Sequence, residues 1–273
     1  MSDDTGNGAR GRRPARAKDD AEANPTGMER AFAVLEIIAA NPSRVVDVTN
    51  ELGLPWATVH RTIKKLEASQ VITRDPESSK YEIGPWMWYV GSAYLANNKA
   101  LNASIAYLAR DRDIKDVDIQ IVERVGNYAV VTHAEKRQST PISKAQYGYS
   151  LPLHAGSKGR VLLAYETEDF IDTYLSRKLE KLTPDTVTDP VELRRQVNVV
   201  REQGWALTIA DVQPFTGSIA APIFNSSGQA IGCVCFIFLR RTADDPLKLE
   251  QLKEKLSLMT HSISLDLGWR PGH

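Results

Sequence analysis

Apolar residues in the N-terminal part of the chain recur with a helical period. One stripe predicts a helix that ends before Pro42, a shorter stripe closed by Gly53 predicts a second, and Pro55 suits the first turn of a third. The inward positions of these helices are Ala31, Val34, Leu35, Ile38, Val45, Val48, Leu52, Val59, Ile63 and Leu66. Two short stretches that favour β-structure then flank a turn at residues 75–79. Residues 26–85 are therefore predicted to form a winged helix-turn-helix.

The next stretch, PWMWYVGSAYLANN, is aromatic and apolar along its length. We predict a linker helix over residues 86–102 that packs on a second domain or on another subunit. An aromatic cage for a ligand is the alternative, although aromatic residues at helical spacing are more typical of packing.

Beyond this helix the period changes to two. Val117, Ile119 and Ile121 alternate with Asp118 and Gln120, which predicts a half-buried strand whose hairpin partner covers about residues 127–135. Further helices are predicted at about 155–165, 167–178, 189–204 and 244–267, and further strands at about 205–210, 217–224 and 229–239. This order indicates an α+β domain around a largely antiparallel sheet.

Composition narrows the class of protein. With 273 residues, 42% hydrophobic content and a formal net charge of zero, the chain is typical of a globular protein and not of a polybasic nucleic-acid coat. No apolar run resembles a secretory signal or a membrane span, and two cysteines without a disulfide framework predict a cytoplasmic protein with no membrane partner. Residues 1–25 are predicted to be a disordered tail. Its basic residues either touch phosphates or are simply solvated, because acidic residues follow at once; they are Arg10, Arg12, Arg13, Arg16 and Lys18.

The third helix, residues 55–70, carries the candidate DNA-contacting residues. The second helix of a helix-turn-helix pair enters the major groove, where Arg61 can contact guanine, and Ala57 and Thr58 suit a phosphate or a thymine methyl group. Lysines on this helix and the basic residues of the wing, including Lys80, suit phosphates. The predicted DNA-binding set is Trp56, Ala57, Thr58, His60, Arg61, Lys64, Lys65 and Arg74. A winged helix used only for protein contacts is the alternative.

The segment LPLHAGSKGRVLLAY, residues 151–165, places a helix start beside a hydroxyl and a lysine. Unpaired N–H groups at a helix start favour an anion, with Ser157 adding a hydroxyl and Lys158 a charge if its side chain turns inward; a surface position for Lys158 stays open. The spacing fits neither a P-loop nor a nucleophile elbow, and Ser157 with His154 lacks an orienting carboxylate. Cys233 and Cys235 are interpreted as buried core thiols and not as zinc ligands with His133 or as a redox sensor. No catalytic residue, metal or cofactor is predicted.

Taken together, these motifs resemble a known family. The run MERAFAVLEIIAANPSRVVDVTNELGLPWATVHRTIKKLEASQVITRDPESSKYEIGP resembles the N-terminal winged helix of the isocitrate-lyase-regulator (IclR) family of bacterial transcription factors. LPLHAGSKGRVLLAY, residues 182–234 and the closing helix resemble its effector-binding domain, so the resemblance covers about residues 26–271. It implies operator DNA as a partner, a homodimer or dimer of dimers, and a GAF-like sensor over residues 103–269 that represses or activates in response to a small metabolite.

The resemblance also assigns the effector site and shows where this chain departs from the family. Trp56 and Ala57 replace the usual Ser and Lys or Arg, Thr208 stands at a commonly acidic position, and Phe215 stands where Gly is usual. The implied effector-binding set is Ser157, Lys158, Thr208, Ser218, Cys235 and Ile237. To it we add Tyr147, Tyr149 and Phe215 as candidates for a ring face beside an aromatic ligand. The apolar replacements in this set favour a carboxylate with an apolar or aromatic body. We therefore predict a ligand-responsive regulator of a catabolic operon; the alternative is a GAF-like metabolite-binding protein whose winged helix serves only assembly.

Overall fold

The computed structural model describes residues 25–137 and 147–271. The predicted tail, with its basic cluster, lies outside the described residues apart from residue 25. The chain divides into two compact units, of which the described residues are 25–98 and 99–271 with the gap noted. Over the described ranges, no helix combines the length and the apolar character needed to cross a membrane.

The N-terminal unit consists of three helices, a two-stranded antiparallel wing and a fourth helix. They are α1 (Gly27–Ala40), α2 (Val45–Leu52), α3 (Trp56–Ala68), β1 (Ile72–Arg74), β2 (Tyr81–Ile83) and α4 (Pro85–Asn97). Thr26 and Glu29 form a capping box that starts α1, and Gly53 ends α2 in the left-handed conformation. Val34, Val48, Val59 and Ile63 are fully buried where the helices meet. The predicted winged helix-turn-helix is confirmed.

Two helices occupy the stretch for which the sequence predicts one linker helix. The first, α4, ends at Asn97; the next residue, Asn98, has an extended backbone, and α5 (Lys99–Arg110) follows at once. No side chain of α4 is buried, whereas α5 buries Leu101 and Leu108. The separate helix α5 is not predicted by the pattern, because polar Asn98 alone gives a weak signal for a helix end.

The C-terminal unit is built on a six-stranded antiparallel sheet in the order β5-β4-β3-β8-β7-β6. Its strands are β3 (Asp118–Val125), β4 (Tyr128–Lys136), β5 (Ser150–Pro152), β6 (Ala206–Ile209), β7 (Thr216–Phe224) and β8 (Ala230–Leu239). Its remaining helices are α6 (Gly156–Ala164), α7 (Glu168–Leu175), α8 (Pro190–Gln203) and α9 (Pro246–Asp266). The α+β class and the antiparallel sheet are confirmed, and the short strand β5 is an addition that the pattern does not predict.

Helices cover both faces of this sheet. The side chains of α5 and α9 pack on one face, which includes Ile119 and Phe236, and α6 packs on the other, which includes Cys233 and Cys235. Because β3 and β8 are central, the expected half-burial of β3 is wrong: Asp118 and Gln120 are buried as well as Ile119 and Ile121. The alternation in β3 separates two buried faces, and its polar face lies under α6.

Candidate functional site

The start of α6 is fixed by two glycines for steric reasons. Gly156 has a φ of +71°, and a Cβ there would lie 3.0 Å from the Val212 side chain. A Cβ on Gly159 would lie 2.6 Å from the carbonyl oxygen of Leu153. The glycine pair therefore lets the helix start approach the chain around β5 and β6 closely, and all nine residues of α6 are buried.

The anion at this helix start is one of the protein's own carboxylates. Asp211 accepts the Gly156 N–H at 2.5 Å and pairs with Arg160 at 2.8 Å, and both of the paired side chains are buried. The neighbouring N–H of Ser157 donates to Thr208 Oγ1 at 3.1 Å. The first two helical N–H groups, which the sequence predicts as an open anion cradle, thus already have partners. The partial positive charge at the N-terminus of α6 also stabilises the Asp211 carboxylate.

Four predicted wall residues meet beside this start. The Ser157 hydroxyl donates to Ser218 Oγ at 2.8 Å, and Ser218 Oγ lies 2.9 Å from Thr208 Oγ1. The Ser157 oxygen also lies 3.7 Å from Cys235 Sγ. Burial raises the pKa of the Cys235 thiol, so this group is a neutral neighbour of the hydroxyl cluster.

Lys158 turns inward, which settles the alternative that the sequence left open. Its side chain is 4% exposed, and Nζ donates to Gln120 Oε1 at 2.6 Å and lies 5.4 Å from the centroid of the Tyr149 ring. Within the described ranges, no carboxylate forms an ion pair with it. Burial lowers the pKa of the Lys158 ammonium, because the charged form loses its solvation.

A pocket opens onto this ammonium. It contains about 390 Å³ of empty space when the open solvent at its mouth is counted, and only a small part of this space is enclosed by the protein. Five of the predicted effector residues line it together with five others: Tyr149, Leu151, Gly156, Lys158, Val212, Gln213, Thr216, Ser218, Cys235 and Ile237.

The other predicted effector residues lie outside this lining. Ser157 and Thr208 are one hydrogen bond behind Ser218. Phe215 is 79% exposed, and Tyr147 is exposed with its hydroxyl 3.1 Å from His133 Nδ1. The structure therefore brings the polar end of the predicted site together and leaves these two aromatic rings at the surface.

His154 and Ser157, which are close in the sequence, are each hydrogen-bonded to other groups. The His154 ring bonds to the Tyr174 hydroxyl at 2.9 Å and to the Glu180 carbonyl at 2.8 Å, so neither ring nitrogen serves Ser157. Burial lowers the pKa of His154 to about 4, which keeps the ring neutral. Over residues 25–137 and 147–271, no group of three or more His, Cys, Asp or Glu residues is placed to hold a metal ion.

The predicted DNA-contacting residues lie on α3, apart from Arg74 at the end of β1. Trp56 and Arg61 are exposed, whereas Thr58 and His60 are half-buried. Lys64 pairs with Glu67 at 2.7 Å, an exposed pair of little energetic value. The remaining cations of the set are Lys65, also exposed on α3, and Arg74, which bonds to Ser79 in the wing at 2.9 Å. The guanidinium of Arg61 has no partner in the part of the chain that the structure describes.

Sequence reasoning missed the residues that act on α6 from a distance in the chain. Gln120, Asp211 and Gln213 reach the site from β3 and from the loop between β6 and β7. The sequence gives no signal for them: its alternation places Gln120 on the polar side of a half-buried strand, and Asp211 and Gln213 lie in a loop.

Comparison with known proteins agrees with this geometry. The family profile described as bacterial transcriptional regulator IclR C-terminal matches residues 104–265, and the IclR helix-turn-helix domain matches residues 27–76. The HTH-type transcriptional repressor AllR of Salmonella paratyphi A is 28% identical over 225 residues, which cover 81% of this chain and 83% of the relative.

Solved structures share the fold. An IclR transcriptional regulator from Alicyclobacillus acidocaldarius superposes with a TM-score of 0.77 at 20% identity, over 89% of this chain and 99% of that one. An IclR homologue from Microbacterium hydrocarbonoxydans, in complex with 4-hydroxybenzoate, has a TM-score of 0.72 at 24% identity, again over 89% of this chain and 99% of that one.

Proposed function

The chain belongs to the IclR family of bacterial transcriptional regulators, and from this premise we propose that it binds operator DNA through α3 and a monocarboxylate effector beside Lys158. The winged helix, residues 26–85, contacts DNA, and the unit over residues 103–269 senses the effector. The relatives named as repressors support repression as the mode of action.

One observation carries the effector class. Lys158 is buried and lines the pocket, and among the described residues its ammonium has one hydrogen-bond partner, the Gln120 amide oxygen, and no carboxylate to compensate its charge. A ligand carboxylate that displaces or joins this amide oxygen supplies the missing counterion in a site of low dielectric. The ammonium therefore selects for an acid and against its neutral analogues.

The apolar wall sets the body of the ligand. Leu151, Val212 and Ile237 face the same pocket as the ammonium, and the Tyr149 ring lies beside it. Such a wall suits an aromatic ring or a comparable apolar group. The structural relative bound to 4-hydroxybenzoate supports an aromatic acid as the first compound to test.

Calorimetric titration tests this assignment with benzoate, 4-hydroxybenzoate, benzamide and small 2-oxo acids. We expect an aromatic acid to bind and benzamide to fail. Lys158→Met loses about 10- to 100-fold in affinity for the acid, the value of a charge-assisted hydrogen bond. Lys181→Met, which removes an exposed lysine, serves as the matched control. Equal binding of benzamide, or binding of 2-oxo acids alone, contradicts the proposal.

Assembly and compartment complete the proposed function. The protein acts in the cytoplasm as a homodimer or dimer of dimers, and the exposed aromatic side chains of α4, among them Trp88 and Tyr89, support a contact with another subunit. Effector binding changes the relative arrangement of the DNA-binding units and so the operator affinity. A mobility shift on DNA upstream of its own coding region, with and without the acid, tests this regulation; no shift by the intact chain would favour a winged helix that serves only assembly.

A further inference from the structure

Trp56 occupies an unusual place for an indole. It is the first residue of α3, and 53% of its side chain is exposed. The core of the N-terminal unit takes Val59, Ile63 and Leu66 from α3 and not Trp56. The ring therefore contributes little to the core of the free protein, and about half of it is available to a partner.

The indole is held in a fixed orientation by His60. The two rings stack with their centroids 4.5 Å apart and their planes 9° from parallel. Residues four apart lie on one helix face, so Trp56 and His60 form a stacked pair of rings, here called the aromatic plate, in which His60 lies against one face of the indole. Since the orientation is set before binding, little side-chain entropy is lost when a partner covers the exposed part of the plate.

The charges beside the plate indicate what covers it. Successive residues of a helix are 100° apart, which puts Lys64 next to His60 and Arg61 one step further round the outer side. An exposed aromatic plate on a basic helix face suits a polyanion that offers apolar groups between its charges. A DNA major groove has this character.

We infer that the Trp56–His60 plate is a specificity element that packs on the 5-methyl group of thymine in the operator. The inference rests on the proposed DNA-binding role of α3. The indole ring offers one N–H donor and no acceptor, and its faces are apolar. Among the base edges in the major groove, only thymine presents an apolar group, the methyl. Packing on a deoxyribose instead would leave the protein indifferent to this methyl.

The test uses duplexes that the full-length chain selects from a random DNA pool. Each thymine in the selected site is replaced in turn by deoxyuridine, which removes the methyl group and keeps the hydrogen-bonding groups. For the wild type we expect about fourfold weaker binding at one or two thymines of each half-site, the value of one buried methyl group. In Trp56→Ala, deoxyuridine at these positions has no effect.

Leu247→Ala is the control, because it removes an exposed apolar side chain from α9 instead of α3 and leaves the aromatic residues of α4 in place. This variant keeps the wild-type response to deoxyuridine even if its overall affinity falls, and a thermal melt establishes that both variants are folded. A wild type indifferent to every deoxyuridine overturns the thymine contact and leaves DNA binding intact. A response that survives in Trp56→Ala also overturns it. Failure to select any duplex overturns both this inference and the proposed role of α3.

Discussion

Two regions beside α6 each hold a buried cation, and they treat it differently. The loop at Asp211 gives Arg160 a carboxylate at 2.8 Å, whereas Gln120 on β3 gives Lys158 an amide oxygen at 2.6 Å, and no carboxylate of the described residues pairs with Lys158. The two cations are two residues apart on one helix. The fold thus neutralises the charge of Arg160 itself, whereas the counterion of Lys158 has to come from a ligand.

Removing the carboxylate that pairs with Arg160 has the largest expected effect on stability. Asp211→Ala leaves the Arg160 charge buried without its partner and removes the acceptor of the Gly156 N–H. We expect the free energy of unfolding to fall by about 3–5 kcal/mol, as measured by urea denaturation. Asp172→Asn, which weakens an exposed pair with Arg194, is the control and costs less than about 1 kcal/mol. Equal losses in the two variants would contradict the distinction.

The sequence predicts the bounds of α6 better than it predicts the partners of the charged and N–H groups on this helix. The glycines and the apolar run predict the start and length of α6, because these depend on residues within one turn of each other. The inward turn of Lys158 depends on Gln120, which lies 38 positions earlier, and the paired state of the helix start depends on Asp211, 55 positions after Gly156. These long-range pairings follow from strand order and from helices that cover both sheet faces, and neither leaves a local pattern.

The aromatic residues of the predicted site illustrate a second limit. Tyr147 and Phe215 are predicted to offer a ring face to an aromatic ligand, but both side chains are exposed, because the loop geometry and not the residue type sets their direction. Tyr149, two positions from Tyr147, lines the pocket instead. The chemistry of the ligand predicts that aromatic residues line the site, but which of their side chains point into the pocket depends on the fold.

An exposed cation extends the comparison to the N-terminal unit. Arg61 resembles Lys158 in having no carboxylate partner in the described chain, but solvent compensates its charge, so here the missing partner adds no strain to the fold. We expect Arg61→Ala to leave stability unchanged and to weaken operator binding by about 1–3 kcal/mol, the value of one good contact to a base.

Fluorescence anisotropy at several salt concentrations measures this effect. Lys65→Ala serves as the control, because a phosphate contact is lost equally from all sequences and lowers the salt slope by about one. If Arg61→Ala behaves in the same way as Lys65→Ala on selected and on random DNA, Arg61 contacts phosphate and not a base.

Removing the uncompensated charge has a smaller effect of the opposite sign. Lys158→Met replaces a desolvated ammonium by an apolar chain of similar length, so we expect the free energy of unfolding to rise by about 1 kcal/mol, after the loss of the bond to Gln120 is subtracted. The same variant loses its response to the acid. A variant that is both less stable and unresponsive would indicate that the ammonium belongs to the fold, as Arg160 does.

The dependence on pH is the finest test, because it gives opposite signs for folding and for binding. Burial lowers the folded-state pKa of Lys158 below its ordinary value of 10.5. Between the two values the unfolded chain binds more protons, so the wild type gains stability relative to Lys158→Met as the pH rises and loses it again as the pH falls through the folded-state pKa. A bound carboxylate favours the ammonium and raises this pKa, so affinity for the acid falls as the pH rises through the same window.

Burial raises the pKa of the neighbouring Cys233 and Cys235 thiols, which keeps them neutral at the start of the window. Urea denaturation of both proteins and calorimetry of the acid, from pH 7 to about pH 10, measure the two slopes. Slopes of the same sign would show that Lys158 is not the group that meets the ligand's charge.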